Sequence, residues 1–488
     1  MLEKKLARTK IIATLGPSSA RPELIRRMVK AGVDAFRLNM SHGNNVARET
    51  WIGWIREIRA ELERPISILV DLRGPRIRLG ELKQHRTLRL GEKIWVRGGS
   101  KEGKNGDLPI DYRGLSKDVS VGDRIRIRDG RAELKIVEIK GSRLLCKVRR
   151  GTQLASFQGV NLPDSEVSAP ALSAKDRKDL AWAVKQEVDW IALSFVRSAK
   201  DVASLQRALH KLKSDIPIIA KIEHPNAIEN LKEIIAETDA IMVARGDLAV
   251  EVGHAKVPLL QRRIIRQCLG AATPVIVATQ MLESMIEAEQ PTRAEVSDVA
   301  NAVSQSADAV MLSGETAMGN YPVQACRVMH DILIATEEEM FTSDWRQYPG
   351  IERIGDRPGS VGMAVAHAAI MAAHLSLAKL VLVFTESGRT SRLVASFRAD
   401  LPFIGITSRE KAFHRMSLIW GVLPGLIPLA DSVADLHRLA ATVLVKSKWI
   451  RDQDLLVALA GTFSVAGGTN TISLIQLQDL RQTSAPGA

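Results

Sequence analysis

The sequence predicts an α/β protein: a (β/α)8 TIM barrel with an inserted small β-barrel lid domain and a C-terminal open α/β domain. Three observations support this prediction. From Thr9 to about Ser313, eight short β-rich runs alternate with segments that mostly show helical periodicity. After the third run the alternation gives way to strand and turn patterns. Strands and helices alternate again beyond a Pro- and Gly-containing boundary that follows Met340.

The barrel strands are predicted from short apolar runs. In the first segment between two runs, residues 22–32, the apolar side chains share one helical face and Gly32 is a candidate C-cap. Eight such units in series indicate a closed parallel barrel, in which the chemistry lies at the carboxyl ends of the strands. The predicted strands are TKIIATL (9–15), AFRLNM (35–40), ISILVDL (66–72), WIALSFV (190–196), IIAKIE (218–223), AIMVARG (240–246), VIVATQ (275–280) and AVMLSG (309–314).

A β-domain is predicted after the third barrel strand, over residues 75–167. Arg and Ile alternate from Arg124 to Arg128, and the pairs Asp129-Gly130 and Lys140-Gly141 are turn signals between strand-like runs. Such a domain can close over the barrel mouth as a lid and exclude water.

The C-terminal residues, 344–488, are predicted to form a separate open α/β domain, which leaves residues 1–74 and 168–343 for the barrel. The apolar stretch at 363–378 is too short to cross a membrane and predicts a buried helix. The strands of this domain are expected in KLVLVFTESGRTS, PFIGITS, LLVALAG and TNTISLIQL.

Composition narrows the possible functions. The chain has 488 residues, 45% apolar and 25% charged, as expected of a multi-domain globular protein with no membrane contact. Its formal charge of +13 suits polyanionic ligands, but the basic residues are dispersed, so nucleic-acid binding is not expected. Cys146, Cys268 and Cys326 lie far apart and indicate neither a disulfide framework nor a zinc site. The start of the chain lacks a signal-peptide core, so we expect a cytoplasmic protein.

Two segments place a cation and a carboxylate two residues apart at the ends of neighbouring predicted strands. They are KIEH, with Lys221 and Glu223, and ARGDL, with Arg245 and Asp247. Residues i and i+2 of a strand face the same side, so each pair is expected to project together. The two carboxylates suit Mg²⁺, and the Lys221 ammonium can stabilise a phosphoryl group in flight. Surface salt bridges are the alternative interpretation.

The segment FRLNMSHG adds polar groups at the end of the second predicted strand. Arg37 can fork onto phosphate or carboxylate oxygens, and Asn39 and Ser41 offer neutral oxygens. For Ser41 and His42, the alternative is a helix N-cap that leads into the next segment.

The segment DLRGPRIRL concentrates cations after the third predicted strand. Arg73, Arg76 and Arg78 follow Asp71 and raise the local positive potential, which attracts polyanions, unless they form a solvated basic loop.

Hydroxyl side chains lie at the ends of two later predicted strands, where Thr279, Ser313 and Thr316 can bind a small carboxylate or relay a proton. Hydroxyl side chains are also common at ordinary turns. Together these groups indicate a phosphoryl-transfer enzyme.

In order and over roughly residues 9–480, these segments resemble the pyruvate kinase family. The block from MLESM to PTRAE is highly specific to that family. The resemblance implies the fold predicted above, usually as a homotetramer, and transfer of the phosphoryl group of phosphoenolpyruvate to ADP, giving ATP and pyruvate. The matching stretches are TKIIATLGPSS, FRLNMSHG, DLRGPRIR, GVNLP, IALSFVRS, IIAKIEHPNAIENLKEI, ARGDLAVE, PVIVATQMLESMIEAEQPTRAEVSDVANAV, DAVMLSGETAMGNYP, FTESGRTSRLVASFR and GGTNTI.

The resemblance also implies roles for individual residues. Lys221 stabilises the transferring phosphoryl group and Arg37 contacts its oxygens. Glu223 and Asp247 bind Mg²⁺, for which Mn²⁺ can substitute. The backbone at Arg245 and Gly246 holds the substrate carboxylate with Thr279, and Ser313 lies near the proton donor to enolpyruvate. The implied nucleotide-binding residues are Asn39, Ser41, His42 and Arg78.

The family's K⁺ pocket corresponds here to Asn39, Ser41, Asp71 and the carbonyl of Leu72. Family members that need K⁺ have Glu where this chain has Arg76, whereas members that do without it carry a cation there. A fixed guanidinium can replace the charge of a bound ion, so the hypothesis is that activity does not require K⁺.

Two further segments bear on regulation and on the nucleotide. The loop TESGRTS resembles the family's loop for a phosphorylated effector, since hydroxyls and N–H groups before a helix form an anion site. A helix cap without a ligand is the alternative. Before GVNLP the chain has Gln158 in place of the family's Lys, which removes one lid cation. The effector residues would be Thr385, Ser387, Gly388, Arg389, Thr390 and Ser391.

Three other functions compete with this interpretation. A different Mg²⁺-dependent barrel enzyme acting on phosphoenolpyruvate or a 2-oxo acid would not need the inserted lid or the C-terminal domain. A catalytically silent regulatory homologue would not need Lys221, Glu223 and Asp247. An RNA-binding protein would be expected to show aromatic residues interleaved with a basic stripe, which the sequence lacks.

Overall fold

The computed structural model describes residues 7–75, 77–103, 106–165, 167–341, 360–430, 432–446, 450–461 and 470–482. Its strands are β1 (Lys10–Thr14), β2 (Val33–Asn39), β3 (Ser67–Asp71), β4 (Arg86–Thr87), β5 (Lys93–Gly98), β6 (Leu108–Ile110), β7 (Arg124–Ile127), β8 (Ala132–Lys140), β9 (Arg143–Arg150), β10 (Gln153–Leu154), β11 (Val160–Asn161), β12 (Trp190–Val196), β13 (Ile218–Ile222), β14 (Ala240–Ala244), β15 (Val275–Ala278), β16 (Ala309–Leu312), β17 (Leu380–Phe384), β18 (Phe403–Thr407), β19 (Val422–Leu426), β20 (Leu455–Ala460) and β21 (Thr471–Gln476).

Except for Leu115–Asp118, which belongs to the inserted domain, the helices cover the barrel and the C-terminal sheet. They are α1 (Pro22–Ala31), α2 (Asn45–Leu62), α3 (Leu115–Asp118), α4 (Ala174–Lys185), α5 (Ala199–Lys211), α6 (Pro225–Glu229), α7 (Leu231–Glu237), α8 (Arg245–Val252), α9 (Val257–Gly270), α10 (Arg293–Ser304), α11 (Gly314–Ala317), α12 (Pro322–Met340), α13 (Val361–Leu375), α14 (Arg389–Ala395), α15 (Glu410–Arg415), α16 (Val433–Lys446) and α17 (Leu477–Gln482).

Eight parallel strands close the predicted barrel, in the order β1-β16-β15-β14-β13-β12-β3-β2. Side chains of each strand alternate between two apolar layers. Ile12 and Met242 belong to one cluster made mostly of barrel-strand side chains, and Ile11 and Val243 belong to the larger cluster that includes helix residues. The predicted helix α1 ends at Gly32, which takes φ +119 and caps it. The barrel prediction is therefore confirmed.

The lid is the inserted set of strands β4–β11. Six of them form one sheet around a core of their own, in the order β11-β7-β8-β9-β5-β6. The predicted turn between β7 and β8 places Asp129 at φ +53 and Gly130 at φ +79. Arg126 on β7 donates to the carbonyl of Val250 in α8, and Asn161 Nδ2 donates to Glu251 Oε1 at 2.6 Å. These bonds hold the lid to the barrel mouth.

The C-terminal domain contains a five-stranded sheet in the order β19-β18-β17-β20-β21, with β21 antiparallel to β20. The sequence analysis did not predict β19, because Pro424 and Gly425 interrupt it. Proline is tolerated there because β19 is an edge strand, paired on one side with β18.

The C-terminal domain packs against the end of the barrel that lies opposite the lid. Ser67, the first residue of β3, donates its N–H to Ser417 Oγ at 3.1 Å. Arg398 forms a buried ion pair with Asp308, just before β16, at 2.7 Å. The apolar helix α13 buries one face, with Ile370 fully inside. Among the helices of the described chain, none is both long and apolar enough for a membrane span.

Candidate active site

The Lys221 ammonium lies inside a buried charged cluster at the carboxyl ends of β3 and β13. Its Nζ lies 3.0 Å from Glu223 Oε1 and 3.3 Å from Asp71 Oδ1, and it donates to Ser194 Oγ at 2.8 Å. Burial works against the charged ammonium, but Asp71 and Glu223 outweigh it and raise the pKa of Lys221. Lys221 is therefore a fixed cation at neutral pH. Ser194 was missed by the sequence analysis, since a lone hydroxyl within an apolar strand carries no local signal.

Arg37 shares the Asp71 carboxylate with Lys221. Its Nε and Nη2 lie 2.8 and 2.6 Å from Asp71 Oδ2, and its Nη1 donates to Thr14 Oγ1 at 3.2 Å. Burial alone would raise the pKa of Asp71, but Lys221 and Arg37 outweigh it and lower that pKa. Two cations thus converge on one ionised carboxylate at the barrel mouth, an arrangement that can also attract phosphate oxygens.

Glu223 and Asp247 follow the adjacent strands β13 and β14, as predicted. Glu223 Oε2 accepts a bond from the Phe195 N–H at 2.7 Å, whereas its buried Oε1 accepts no well-aligned hydrogen bond from the described residues and faces Lys221 Nζ at 3.0 Å. Burial, with repulsion from Asp247, raises the pKa of Glu223 despite the opposing effect of Lys221. Asp247 is half-buried, and its carboxylate forms no hydrogen bond or ion pair with the described chain.

These two carboxylates fit a divalent cation. Their charges repel each other, as the contribution of Asp247 to the raised pKa of Glu223 indicates, and a bound cation would relieve this repulsion. Mg²⁺ is commonly held by one or two carboxylates, with water and substrate oxygens completing its shell. No group of three or more His, Cys, Asp or Glu side chains is gathered for a metal anywhere in the described ranges. An ion at Glu223 and Asp247 would therefore take further ligands from water or substrate.

Arg245 does not project with Asp247, and this prediction was wrong. The strand ends at Ala244, and Arg245 opens helix α8, where residues two apart point in different directions. The buried guanidinium turns away to Asp298 at 2.6 Å, to the Thr279 carbonyl at 2.7 Å and to the Gln280 carbonyl at 2.8 Å. The Arg245 side chain therefore supports the loop after β15. Its partner Asp298 lies far along the sequence and gave no signal.

Thr279 lies against the start of α8. Its hydroxyl accepts the Gly246 N–H at 2.8 Å and donates to the Ala278 carbonyl at 2.6 Å, and its backbone has φ +69. Ser313 Oγ is buried and has no hydrogen-bond partner among the described residues. By contrast, the Thr316 hydroxyl bonds both backbone groups of Thr14 and so ties α11 to β1.

The segment after β2 is a compact polar loop. Asn39 Oδ1 accepts the Ser41 N–H at 3.0 Å, and Arg48 donates to the carbonyls of Asn39, at 3.1 Å, and His42. Arg48 was not predicted, because it acts from helix α2. The alternative that Ser41 or His42 caps this helix was wrong, since Asn44 is the N-cap and accepts the Ala47 N–H.

A cavity of about 330 Å³ lies between the lid and the barrel. It brings Arg78 of the lid side, one of the predicted nucleotide-binding residues, together with Asp247 of the barrel. Gln158, His224 and Glu251 also line it, whereas Asn39, Ser41 and His42 do not. Burial raises the pKa of Glu251 to about 7 and lowers that of His224 to about 4.

The groups matched to the K⁺ pocket have protein partners. The Leu72 carbonyl accepts the Ser194 hydroxyl at 2.7 Å, Asn39 bonds Ser41, and Asp71 bonds Arg37 and Lys221. Arg76, on which the hypothesis of K⁺ independence depends, lies outside the described residues.

The loop between β17 and α14 holds the predicted effector residues. Thr385 Oγ1 accepts the Gly388 N–H at 3.0 Å, and Gly388 has φ +83. Ser387 and Arg389 are exposed, while Thr390 and Ser391 are buried. Gly388 is the N-cap of α14, and no side chain of the described residues caps the helix with a hydrogen bond.

Comparisons with known proteins agree along nearly the whole chain. Family models match residues 6–326, as pyruvate kinase barrel domain, and 363–475, as pyruvate kinase alpha/beta domain. A pyruvate kinase of Corynebacterium glutamicum is 40% identical over 97% of this chain and 98% of its own length. One from Mycobacterium tuberculosis is 38% identical over 95% and 97%.

A solved structure has the same fold. The crystal structure of a pyruvate kinase from Cryptosporidium parvum superposes with a TM-score of 0.90 at 32% identity and covers 96% of each chain. Sequence identity, coverage and fold thus agree on one assignment. The chain belongs to the pyruvate kinase family.

Proposed function

We propose that the chain transfers the phosphoryl group of phosphoenolpyruvate to ADP, giving pyruvate and ATP, at the cluster around Lys221. The observation that carries this proposal is the buried Lys221 ammonium, held between Asp71 and Glu223 at the barrel mouth. Membership of the pyruvate kinase family supports the reaction.

The two cations act on the group in transfer. The bond from phosphorus to the enol oxygen breaks as the bond to a terminal oxygen of ADP forms, and negative charge spreads over the phosphoryl oxygens. Lys221 and Arg37 are already oriented by Asp71, so they stabilise this charge without reorganising. Thr279 and the backbone N–H groups at the start of α8 hold the substrate carboxylate.

A divalent cation completes the charge balance. Glu223 and Asp247 would hold Mg²⁺, or Mn²⁺ in its place, and the ion would neutralise phosphate oxygens of the bound substrates. Enolpyruvate must then gain a proton at carbon. The candidate relay is Ser313, whose buried hydroxyl has no hydrogen-bond partner within the described part of the chain, together with water near Thr279.

The metal assignment is tested with Glu223→Gln, which removes one charge without changing shape. A lactate-dehydrogenase-coupled assay should show at least about a hundredfold lower kcat than wild type. Mn²⁺ binding, followed by electron paramagnetic resonance, should weaken in parallel. Glu57→Gln, an exposed change on α2, is the matched control and should alter neither. Wild-type kcat and Mn²⁺ affinity in Glu223→Gln would rule out this site.

Independence from K⁺ is proposed on the basis of Arg76. Activity in tetramethylammonium buffer free of Na⁺ and K⁺ should match activity with K⁺ added. In Arg76→Glu it should become K⁺-dependent. Wild-type turnover that appears only on addition of K⁺ would refute the proposal.

We also propose that the loop from Thr385 to Ser391 binds a phosphorylated effector, and that the chain assembles as a homotetramer. Exposed Ser387 and Arg389, with the N–H groups before α14, support the first part. At least one compound in a panel of sugar phosphates and nucleoside monophosphates should shift the activity of wild type but not of Arg389→Ala.

The proposed homotetramer is tested by light scattering. The measured mass should be four times the chain mass, and the mass of a monomer would contradict the assembly.

A further inference from the structure

Phe157, at the tip of a lid turn, has a backbone conformation that aromatic residues rarely adopt. Its φ is +64, in the left-handed region where Cβ crowds the backbone. Packing does not offset this strain, because 58% of the residue is exposed. Residues held in strained conformations cluster at sites that bind ligands.

The turn that carries Phe157 is fixed by hydrogen bonds on both sides. Ser156 Oγ accepts the Leu82 N–H at 2.9 Å, and Gln158 Oε1 accepts the Ala155 N–H at 3.1 Å. Since the residues before and after it are anchored, Phe157 is presented in one place and does not sample a flexible loop.

Phe157 borders the cavity between the lid and the barrel, the volume of which, about 330 Å³, is in the range of small-molecule sites. The charged groups around this cavity are arginines, which suit phosphates, and carboxylates contributed by both the lid and the barrel. The charged lining consists of Arg78, Arg128, Asp129, Arg197, Asp247 and Glu251. Phe157 and Phe195 both line the cavity, and Phe157 is the more exposed of the two.

Of the substrates of the proposed reaction, only the nucleotide contains an aromatic ring. We propose that Phe157 stacks on the base of the bound nucleotide and so determines nucleotide affinity and preference. This inference rests on the proposed function, which places ADP in the cavity between the lid and the barrel. Stacking on an exposed aromatic face tolerates different bases but favours the larger purines.

The test is the kinetics of Phe157→Ala in the full-length enzyme. The KM for ADP should rise about tenfold, while kcat and the KM for phosphoenolpyruvate stay within about twofold of wild type. Phe157→Trp should keep the wild-type KM for ADP. The preference for ADP over CDP should shrink in Phe157→Ala. Leu90→Ala, another exposed apolar change on the lid, is the matched control and should change none of these values.

Calorimetry with two probes separates stacking from a general effect on the lid. Phe157→Ala should weaken binding of ADP about tenfold but leave binding of inorganic diphosphate, which has no base, unchanged. Equal losses for both probes, equal rises in both KM values, or an unchanged KM for ADP would each overturn the inference. Failure of the proposed function has a different signature, which is absence of turnover in the wild type.

Discussion

Replacement of Arg245 should damage the fold of the site more than the chemistry. The guanidinium is 7% exposed and donates to the carbonyls of Thr279 and Gln280 and to Asp298. In Arg245→Met, the apolar stem is kept but both carbonyls lose their donor, at a cost of about 1–3 kcal/mol each. Asp298 adds little, because it is 38% exposed and can be hydrated. The expected loss of stability is therefore about 2–6 kcal/mol.

Loss of Arg245 also frees the loop that positions Thr279 and Gly246. We therefore expect the KM for phosphoenolpyruvate to rise more than kcat falls. Urea unfolding followed by circular dichroism gives the stability, and the coupled assay gives the kinetics. The reasoning fails if Arg245→Met is as stable as wild type while kcat falls more than a hundredfold, because the guanidinium would then act on substrate directly.

Two further perturbations test other parts of the account. Asp71 raises the pKa of Lys221, so Asp71→Asn should lower that pKa and move the alkaline decline of kcat in a pH–rate profile to lower pH. An unmoved alkaline decline would show that Asp71 does not control the ionisation of Lys221. Gly32→Ala should cost more than about 1 kcal/mol in urea unfolding, because φ is +119 and the new Cβ would lie 2.6 Å from His330 Cδ2. Gly53→Ala, in helix α2 with open space around it, should instead be neutral or stabilising, and equal effects of the two changes would contradict the steric argument.

The barrel could be predicted because each of its strands is a short apolar run within a regular series. Strand β19 escaped prediction, since Pro424 and Gly425 are typical of loops and only its place at a sheet edge makes them acceptable. The lid could be predicted from its turn residues. Asp129 and Gly130 do form a turn in the structure, and both have positive φ.

The predicted placement of side chains agrees with the structure where it depended on the strand repeat and disagrees where the chain changed structure. Lys221 and Glu223 lie together because β13 continues almost to Glu223. Arg245 and Asp247 do not lie together, because helix α8 begins at Arg245. The sequence did contain a sign of this helix start, since Asp247 is an acidic residue in its first turn. Ser194 and Arg48 reach the site through tertiary contacts, which local patterns do not report.

The central claim is that the Lys221 ammonium stabilises the phosphoryl group in transfer. The most direct measurement compares kcat for Lys221→Met with that for Lys10→Met in the coupled assay. Lys10 is also a buried lysine on a barrel strand, but its Nζ bonds the Val422 carbonyl at the opposite end of the barrel. The account predicts a fall of at least about 10³-fold for Lys221→Met. Lys10→Met should stay within about threefold of wild type. A folded Lys221→Met enzyme that keeps more than a tenth of the wild-type kcat would contradict the claim.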